Sequence, residues 1–246
     1  MRVGLFDSGI GGINVLSELI KKYPNNHYIY FGDTKNLPYG DKTINELMKL
    51  STNIIDFLLQ KQVDIIIIAC GTISSNCYQT LKEKYSLPIY DIISPTINYL
   101  QNSTYHNIGI IGTTKTIESK IFLLPNKNII MKATPRLVPL IENNLQNKNL
   151  DIINDELFGL ENSEVLVLGC THYPLLKKEI QQFLNIPLID MGVCLSNELK
   201  LDISGLSKVE LYFSKLTSQI ENNINQIIPM GIEYTINEIA LGNYQK

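Results

Sequence analysis

The chain has 246 residues, enough for two modest α/β lobes or one large domain with a proper core. Hydrophobic residues make up 44% and charged residues 18%, with a formal net charge of -3, which argues against disorder, a phosphate-binding surface and a nucleic-acid partner. The longest aliphatic run, 65–69, is far short of the roughly 20 residues that cross a bilayer, and the opening Met1-Arg2-Val3-Gly4-Leu5-Phe6-Asp7 has no secretory hydrophobic region. A cytoplasmic protein without membrane association is expected, so its four cysteines read as thiols and not as a disulfide framework.

Along the chain, short apolar runs predict strands at 3–6, 28–31, 64–69, 108–111, 165–168 and 209–213. Apolar residues at helical spacing predict helices at 51–60 and 173–184, and helices are expected to fill most of the remaining intervals. Pro88, Pro95, Pro125, Pro135 and Pro187 punctuate the connections. Strands alternating with helices give an α/β class with mostly parallel sheets flanked by helices.

An internal repeat, at an offset of about one hundred residues, organises this pattern. Ile65-Ile66-Ile67-Ile68-Ala69-Cys70-Gly71-Thr72, then a helix and Leu87-Pro88-Ile89, matches Val165-Leu166-Val167-Leu168-Gly169-Cys170-Thr171, then a helix and Ile186-Pro187-Leu188. Val3-Gly4-Leu5-Phe6-Asp7-Ser8 likewise aligns with Ile108-Gly109-Ile110-Ile111-Gly112-Thr113. The halves read as duplicated, pseudo-symmetric lobes with a cleft between them. Ligands of parallel sheets bind at the carboxyl ends of strands, and each copy carries a cysteine there. Two lobes facing each other would bring Cys70 and Cys170 to one ligand from opposite sides. Inverting a stereocentre requires that arrangement, with one group removing a proton and another delivering one to the opposite face. A thiol of ordinary pKa, ~8.5, needs only a modest shift to serve near neutral pH.

Arg2 and Arg136 are the only arginines, so backbone amides and hydroxyls must hold any ligand carboxylates. Ser8, Gly9, Gly11, Gly12, Thr72, Thr113, Thr116 and Thr171 are available, and Asp7 can hold an ammonium or assist a neighbouring thiol. Cys77 and Cys194 read as small buried hydrophobes. His27 and His106 read as surface residues at strand starts, and Asp33 and Thr34 as loop-shaping residues. Glu142 alone reads as an exposed helix residue. His172 beside Cys170 lacks the ligand spacing of a metal site, and none is expected.

Six strings in order resemble the glutamate racemases of the aspartate/glutamate racemase superfamily, from about residue 3 to about residue 213. They are Phe6-Asp7-Ser8-Gly9-Ile10-Gly11-Gly12, Phe31-Gly32-Asp33-Thr34 leading to Pro38-Tyr39-Gly40, Ala69-Cys70-Gly71-Thr72, Gly112-Thr113 with Thr116, Val138-Pro139-Leu140-Ile141-Glu142, and Leu168-Gly169-Cys170-Thr171-His172-Tyr173-Pro174. The final stretch, beyond these strings, reads as generic helix. The resemblance implies an enzyme that interconverts L- and D-glutamate for bacterial peptidoglycan, with no cofactor and as a homodimer. It implies a first lobe of 1–92 plus 206–246 carrying Cys70 and a second of 93–205 carrying Cys170. Cys70 and Cys170 would be the acid/base pair, Cys70 acting on D-glutamate and Cys170 on L-glutamate. Asp7 would support Cys70, and Glu142 with His172 would support Cys170. Ser8, Thr72, Thr113, Thr116 and Thr171 would hold the α-carboxylate and ammonium, beside Gly71 and His172. The Pro38-Tyr39-Gly40 loop would hold the side-chain carboxylate through the backbone at Tyr39 and Gly40.

One departure stands out. Gly71 occupies the position where the family normally has an asparagine that contacts substrate. Losing one hydrogen bond to a charged group costs about 1.5 to 3 kcal/mol, so weaker turnover is expected, and restoring asparagine is expected to raise it. A racemase of another amino acid, such as aspartate, and a weakly active or non-catalytic amino-acid-binding descendant are the alternatives this residue opens. A decarboxylase of the superfamily would use one cysteine, and two are present. The stretch between Glu142 and Glu164 also reads as shorter than in many relatives.

Overall fold

In the computed structural model, which describes residues 1–143, 149–201 and 205–241, strand and helix alternate along the chain. The first run comprises β1 (Arg2–Asp7), α1 (Gly12–Lys22), β2 (His27–Gly32), α2 (Ile44–Gln60), β3 (Ile65–Ile68), α3 (Gly71–Lys84), β4 (Ile89–Asp91) and α4 (Ile93–Asn102). The middle run comprises β5 (Asn107–Gly112), α5 (Thr114–Glu118), β6 (Asn128–Ala133), α6 (Leu137–Asn143), α7 (Leu150–Leu157), β7 (Val165–Leu168), α8 (Lys177–Phe183), β8 (Leu188–Asp190) and α9 (Met191–Glu198). Then come β9 (Lys208–Phe213), α10 (Ser218–Ile227) and β10 (Tyr234–Glu238). No described helix is long and apolar enough to cross a membrane.

The strands form two parallel sheets, in the orders β10-β9-β2-β1-β3-β4 and β6-β5-β7-β8. The repeat therefore holds at the level of topology: β2-β1-β3-β4 of one sheet corresponds to β6-β5-β7-β8 of the other. The first sheet gains β9 and β10 beyond β2, so it draws on both ends of the chain while the second comes from the middle. The expected α/β class with parallel sheets flanked by helices is the observed one.

Burial explains which strands stood out in sequence. All four residues of β3 and all four of β7 are buried, as expected for central parallel strands covered on both faces. β6 and β10 are edge strands with exposed or half-buried residues, and β6 offers only the short run Ile129-Ile130-Met131 while β10 offers none. The closing stretch is accordingly not helical throughout, because β10 follows α10. The helix expected over 173–184 begins as a 3₁₀ turn, Tyr173–Leu176, with α8 following. Pro174 sits in the first turn, where its missing N–H is tolerated. The stretch after Glu142 includes residues 144–148, which lie outside the described residues.

The main apolar cluster runs through both sheets. Val3, Leu5 and Tyr30 belong to it on one side and Ile108, Ile110, Val165 and Val167 on the other, joined by Ile13, Leu16 and Leu19 of α1 and Met191 and Leu195 of α9. Each sheet's second face has its own layer. Ile54, Phe57 and Leu58 of α2 with Ile73 and Leu81 of α3 cover the first, and Leu137, Ile141, Ile153, Leu157 and Ile180 of α6, α7 and α8 cover the second.

Candidate active site

The register of the central strands aligns the chemistry. Phe6 of β1 pairs with Ile68 of β3, and Ile111 of β5 pairs with Leu168 of β7. Asp7 and Ser8 therefore leave the sheet beside Cys70, as Gly112 and Thr113 leave theirs beside Cys170. Both cysteines are buried free thiols, and both line one cleft between the lobes.

On the first side, the Cys70 thiol donates to Ser8 Oγ at 3.8 Å. Burial pushes this thiol well above its ordinary pKa, and the Asp7 carboxylate pushes it further, while the Ile73 amide and the Ser8 hydroxyl pull the other way. Asp7 is fully buried at the end of β1, where its Oδ2 accepts from the amide of Gly12, the first residue of α1, at 2.7 Å. Its Oδ1 is buried with no hydrogen-bond partner. On the second side, His172 Nδ1 lies 3.6 Å from Cys170 Sγ, and His172 Nε2 lies 2.6 Å from Glu142 Oε1. Burial alone would hold the imidazole neutral. Its hydrogen bonds with Cys170 and Glu142 outweigh that and raise its pKa well above the usual value.

The halves interlock around these groups. The Ile10 amide donates to Glu142 Oε1 at 3.3 Å, the Thr171 hydroxyl donates to Asp7 Oδ2 at 3.4 Å, and Asn14 Nδ2 donates to the Thr171 carbonyl at 2.9 Å. Glycine at position 11 follows from close approach and not from backbone strain. A Cβ there would lie 2.5 Å from both His172 Nδ1 and Thr171 Oγ1. Across the cleft, the hydroxyls of Thr72 and Thr113 stand 2.9 Å apart, with Thr116 Oγ1 another 3.0 Å behind Thr113.

Ser8, Pro38, Tyr39, Gly40, Cys70, Gly71, Thr72, Thr113, Cys170, Thr171 and His172 all line the cleft. Asp7, Thr116 and Glu142 do not, and each stands behind a residue that does. Glu142 is not the exposed helix residue its position alone suggested, because His172 and the Ile10 amide hold it at 14% side-chain exposure. Asp33 does more than shape a loop. It is buried, and it accepts from the Tyr39 hydroxyl at 2.6 Å and from Asn36 Nδ2 at 2.9 Å, which fixes the Pro38-Tyr39-Gly40 loop. His106 is exposed as expected, whereas His27 is half-buried and paired with Glu210 at 2.8 Å. Cys77 is buried and Cys194 half-buried, both away from the cleft lining. Thr134, Pro135, Val138 and Pro139 also line the cleft, and Asn14 braces it. Thr134 and Asn14 carry no signal in the sequence, since a polar side chain on a helix or after an edge strand is ordinarily solvated. Arg136 is engaged by Glu156 at 2.5 Å and Arg2 by Gln62 at 3.1 Å, and neither lines the cleft. Among the described residues, no group of three or more His, Cys, Asp and Glu side chains is arranged to hold a metal ion.

Gly71 departs from expectation. A Cβ at this position would lie 2.7 Å from the Gly169 carbonyl oxygen, a backbone atom that cannot rotate away. Asparagine is therefore not accommodated by the structure as it stands, which removes the simple expectation that restoring it raises turnover.

Comparison with known proteins decides the family. A model of Asp/Glu/Hydantoin racemases matches residues 14–199. A glutamate racemase of Aquifex aeolicus is 34% identical over 95% of this chain and 96% of its own. The chain belongs to this racemase family. It is an amino-acid racemase, and so an isomerase. Two solved structures agree over nearly the whole fold. Glutamate racemase from Francisella tularensis, crystallised with D-glutamate, has a TM-score of 0.86 at 26% identity and covers 99% of this chain and 98% of its own. Glutamate racemase from Aquifex pyrophilus has a TM-score of 0.80 at 32% identity and covers 95% of this chain and 98% of its own.

Proposed function

We propose that this racemase interconverts L- and D-glutamate with two thiols, Cys70 and Cys170, and supplies D-glutamate for peptidoglycan. The observation that carries the reading is the equivalence of the two cysteines. Each follows the same strand of a repeated sheet, each is buried against one shared cleft, and each has its own ionisable support. The glutamate racemase relatives, one of them crystallised with D-glutamate, support the choice of substrate.

In the resting protein Cys70 keeps its proton, because burial and Asp7 disfavour its thiolate. Cys170 faces an imidazole that Glu142 helps to hold protonated. That state suits L-glutamate. Cys170 thiolate takes the α-proton, forming S–H as the Cα–H bond breaks, and the electron pair passes into the α-carboxylate as an enediolate. Cys70 S–H then breaks and its proton joins Cα on the opposite face, giving D-glutamate. The enzyme is left with thiolate at Cys70 and thiol at Cys170, which is the form that accepts D-glutamate. Proton exchange with solvent restores the first form.

Asp7, buried behind the lining residues with its Oδ1 unpartnered, suits support of Cys70 from behind. The hydroxyls of Ser8, Thr72, Thr113 and Thr171 and the amides opening α3 suit the α-carboxylate, with Thr116 holding Thr113 from behind. The Tyr39-Gly40 backbone, fixed through Asp33, suits the side-chain carboxylate. The lobes are 1–92 plus 206–246 and 93–205, and the working unit is a homodimer without cofactor or metal.

The test uses purified protein stripped of pyridoxal phosphate and metals. It should wash α-deuterium into glutamate from heavy water and racemise it, with aspartate turned over far more slowly. Cys70→Ala and Cys170→Ala should each lower racemisation by about a thousandfold or more. A strict requirement for either additive, or either alanine variant racemising at the wild-type rate, defeats the two-thiol reading.

A further inference from the structure

We propose that Gly71 is a positioning residue, kept free of a side chain so that the strand ends bearing the two reactive thiols can close on each other. The proposal rests on the two-thiol reading above, and it assigns a packing role to a position that the resemblance treats as a lost substrate contact.

Gly71 directly follows Cys70 and opens α3, while Gly169 directly precedes Cys170 at the end of β7. These two residues touch across the cleft. A Cβ at position 71 would stand 2.7 Å from the Gly169 carbonyl oxygen and 3.6 Å from Met191 Cε, so its chief obstacle is backbone. That carbonyl cannot retreat on its own. A Cβ at Gly169 would lie 2.5 Å from the Ile111 carbonyl oxygen, so the turn bearing Gly169 is itself packed hard against β5. Met191 belongs to the apolar cluster shared by the sheets, and the Thr72–Thr113 hydroxyl pair spans the cleft one residue further along.

Any side chain at position 71 must therefore part the strand ends by about half an ångström to regain ordinary van der Waals contact. Cys70 and Cys170 are each bonded to the residue or peptide that moves. Proton transfer to and from carbon depends steeply on donor–acceptor distance, so the loss falls on the chemical step and less on substrate binding. In this chain the close approach is built in by Gly169 and Ile111.

The experiment compares Gly71→Ala, Gly71→Ser and Gly71→Asn in the full chain. It measures kcat and KM for both glutamate enantiomers, the α-deuterium effect on kcat, and the thermal midpoint of the ligand-free protein. Alanine is the decisive member because it adds the Cβ and no polar atom. All three variants should lower kcat by about tenfold or more while KM moves by less than about threefold. The isotope effect should grow, which a smaller fraction of folded enzyme would not produce. Ligand-free midpoints should fall by about 3–8 °C, as for other overpacked sites in chains of this size. Serine or asparagine exceeding the wild-type kcat/KM would return the position to a missing ligand contact and overturn the proposal, as would wild-type kcat in all three. A wild-type chain inert towards glutamate would defeat the reading of the reaction but leave the contact testable. Lowered midpoints would then support it, and unchanged midpoints would refute it.

Discussion

A thiol that both takes and gives a proton depends on what stands next to it, and Cys70 and Cys170 have unlike neighbours. Burial, and after it the Asp7 charge, raise the proton affinity of Cys70, so the thiolate, once formed, is a stronger base towards Cα. The His172 imidazole, bridged to Glu142, stands 3.6 Å from the Cys170 sulfur, within reach of a proton that moves to or from it. Damage to either support should thus slow one proton transfer and spare the other. Comparing forward and reverse kcat/KM cannot reveal this. The two enantiomers have equal free energy, so that ratio stays at one in every variant. Isotope effects report the step itself. Asp7→Asn is expected to enlarge the α-deuterium effect on kcat/KM with D-glutamate more than with L-glutamate, since in the proposed mechanism Cys70 removes the deuteron from the D enantiomer. His172→Asn should do the reverse. Equal changes for both enantiomers in both variants would show that these residues only position substrate.

At the scale of elements, what the sequence discloses depends on where an element sits. β1, β3, β5 and β7 stand out as apolar runs because they are central, and the cysteines that follow β3 and β7 stand out because the repeat sets them side by side. β6 and β10 do not, because an edge strand with one wet face mixes polar and apolar residues as a loop does. The site is legible where chemistry and repeat coincide, at Cys70, Cys170, Asp7 and Thr113. It is not legible at Asn14 or at the Gly71–Gly169 contact, which exist only once the lobes meet. β9 was legible as a strand, but its electrostatics were not. Glu210 on β9 accepts from His27 Nε2 of β2 at 2.8 Å, from Lys208 Nζ at 2.5 Å and from the Tyr212 hydroxyl at 2.6 Å. Partial burial would raise its pKa, but those three donors outweigh it and hold the carboxyl down at about 2, against an ordinary 4.5. A depressed carboxyl contributes stability above its unfolded pKa and loses it as pH falls through the folded value. Glu210→Gln should therefore unfold more easily than wild type at pH 7, by a margin that holds down to about pH 4.5 and shrinks towards pH 2. Urea midpoints at intervals across that range provide the check, and a margin that does not depend on pH would remove the carboxylate from the account.

For the whole molecule, the question is whether two duplicated lobes behave as two bodies. A cleft enzyme of this shape could be two domains meeting at a polar, hydrated seam, as many interdomain interfaces do. The packing points the other way. α1 follows β1 of the first sheet, yet its Ile13, Leu16 and Leu19 share one apolar cluster with Ile108, Val165 and Val167 of the second. α9 closes the joint from the other side, where Gly192 lets the helix lie against Val15, since a Cβ there would already be 3.3 Å from Val15 Cα. The polar crossings from Ile10 to Glu142, Asn14 to Thr171 and Thr72 to Thr113 sit on the rim of that apolar joint. Separating the lobes would expose the shared cluster, and the lost burial is worth roughly 25 cal/mol for each Å² of apolar surface. Partial unfolding of one lobe is thereby coupled to the other. Calorimetry of the ligand-free protein is expected to give one transition whose calorimetric and van't Hoff enthalpies agree. Saturating glutamate should move that single transition upward as a unit, because the proposed site draws on both lobes and exists only when both are folded. Two resolved transitions, with glutamate raising only one of them, would mean that the joint is an ordinary domain interface and that the distance between the thiols is free to vary.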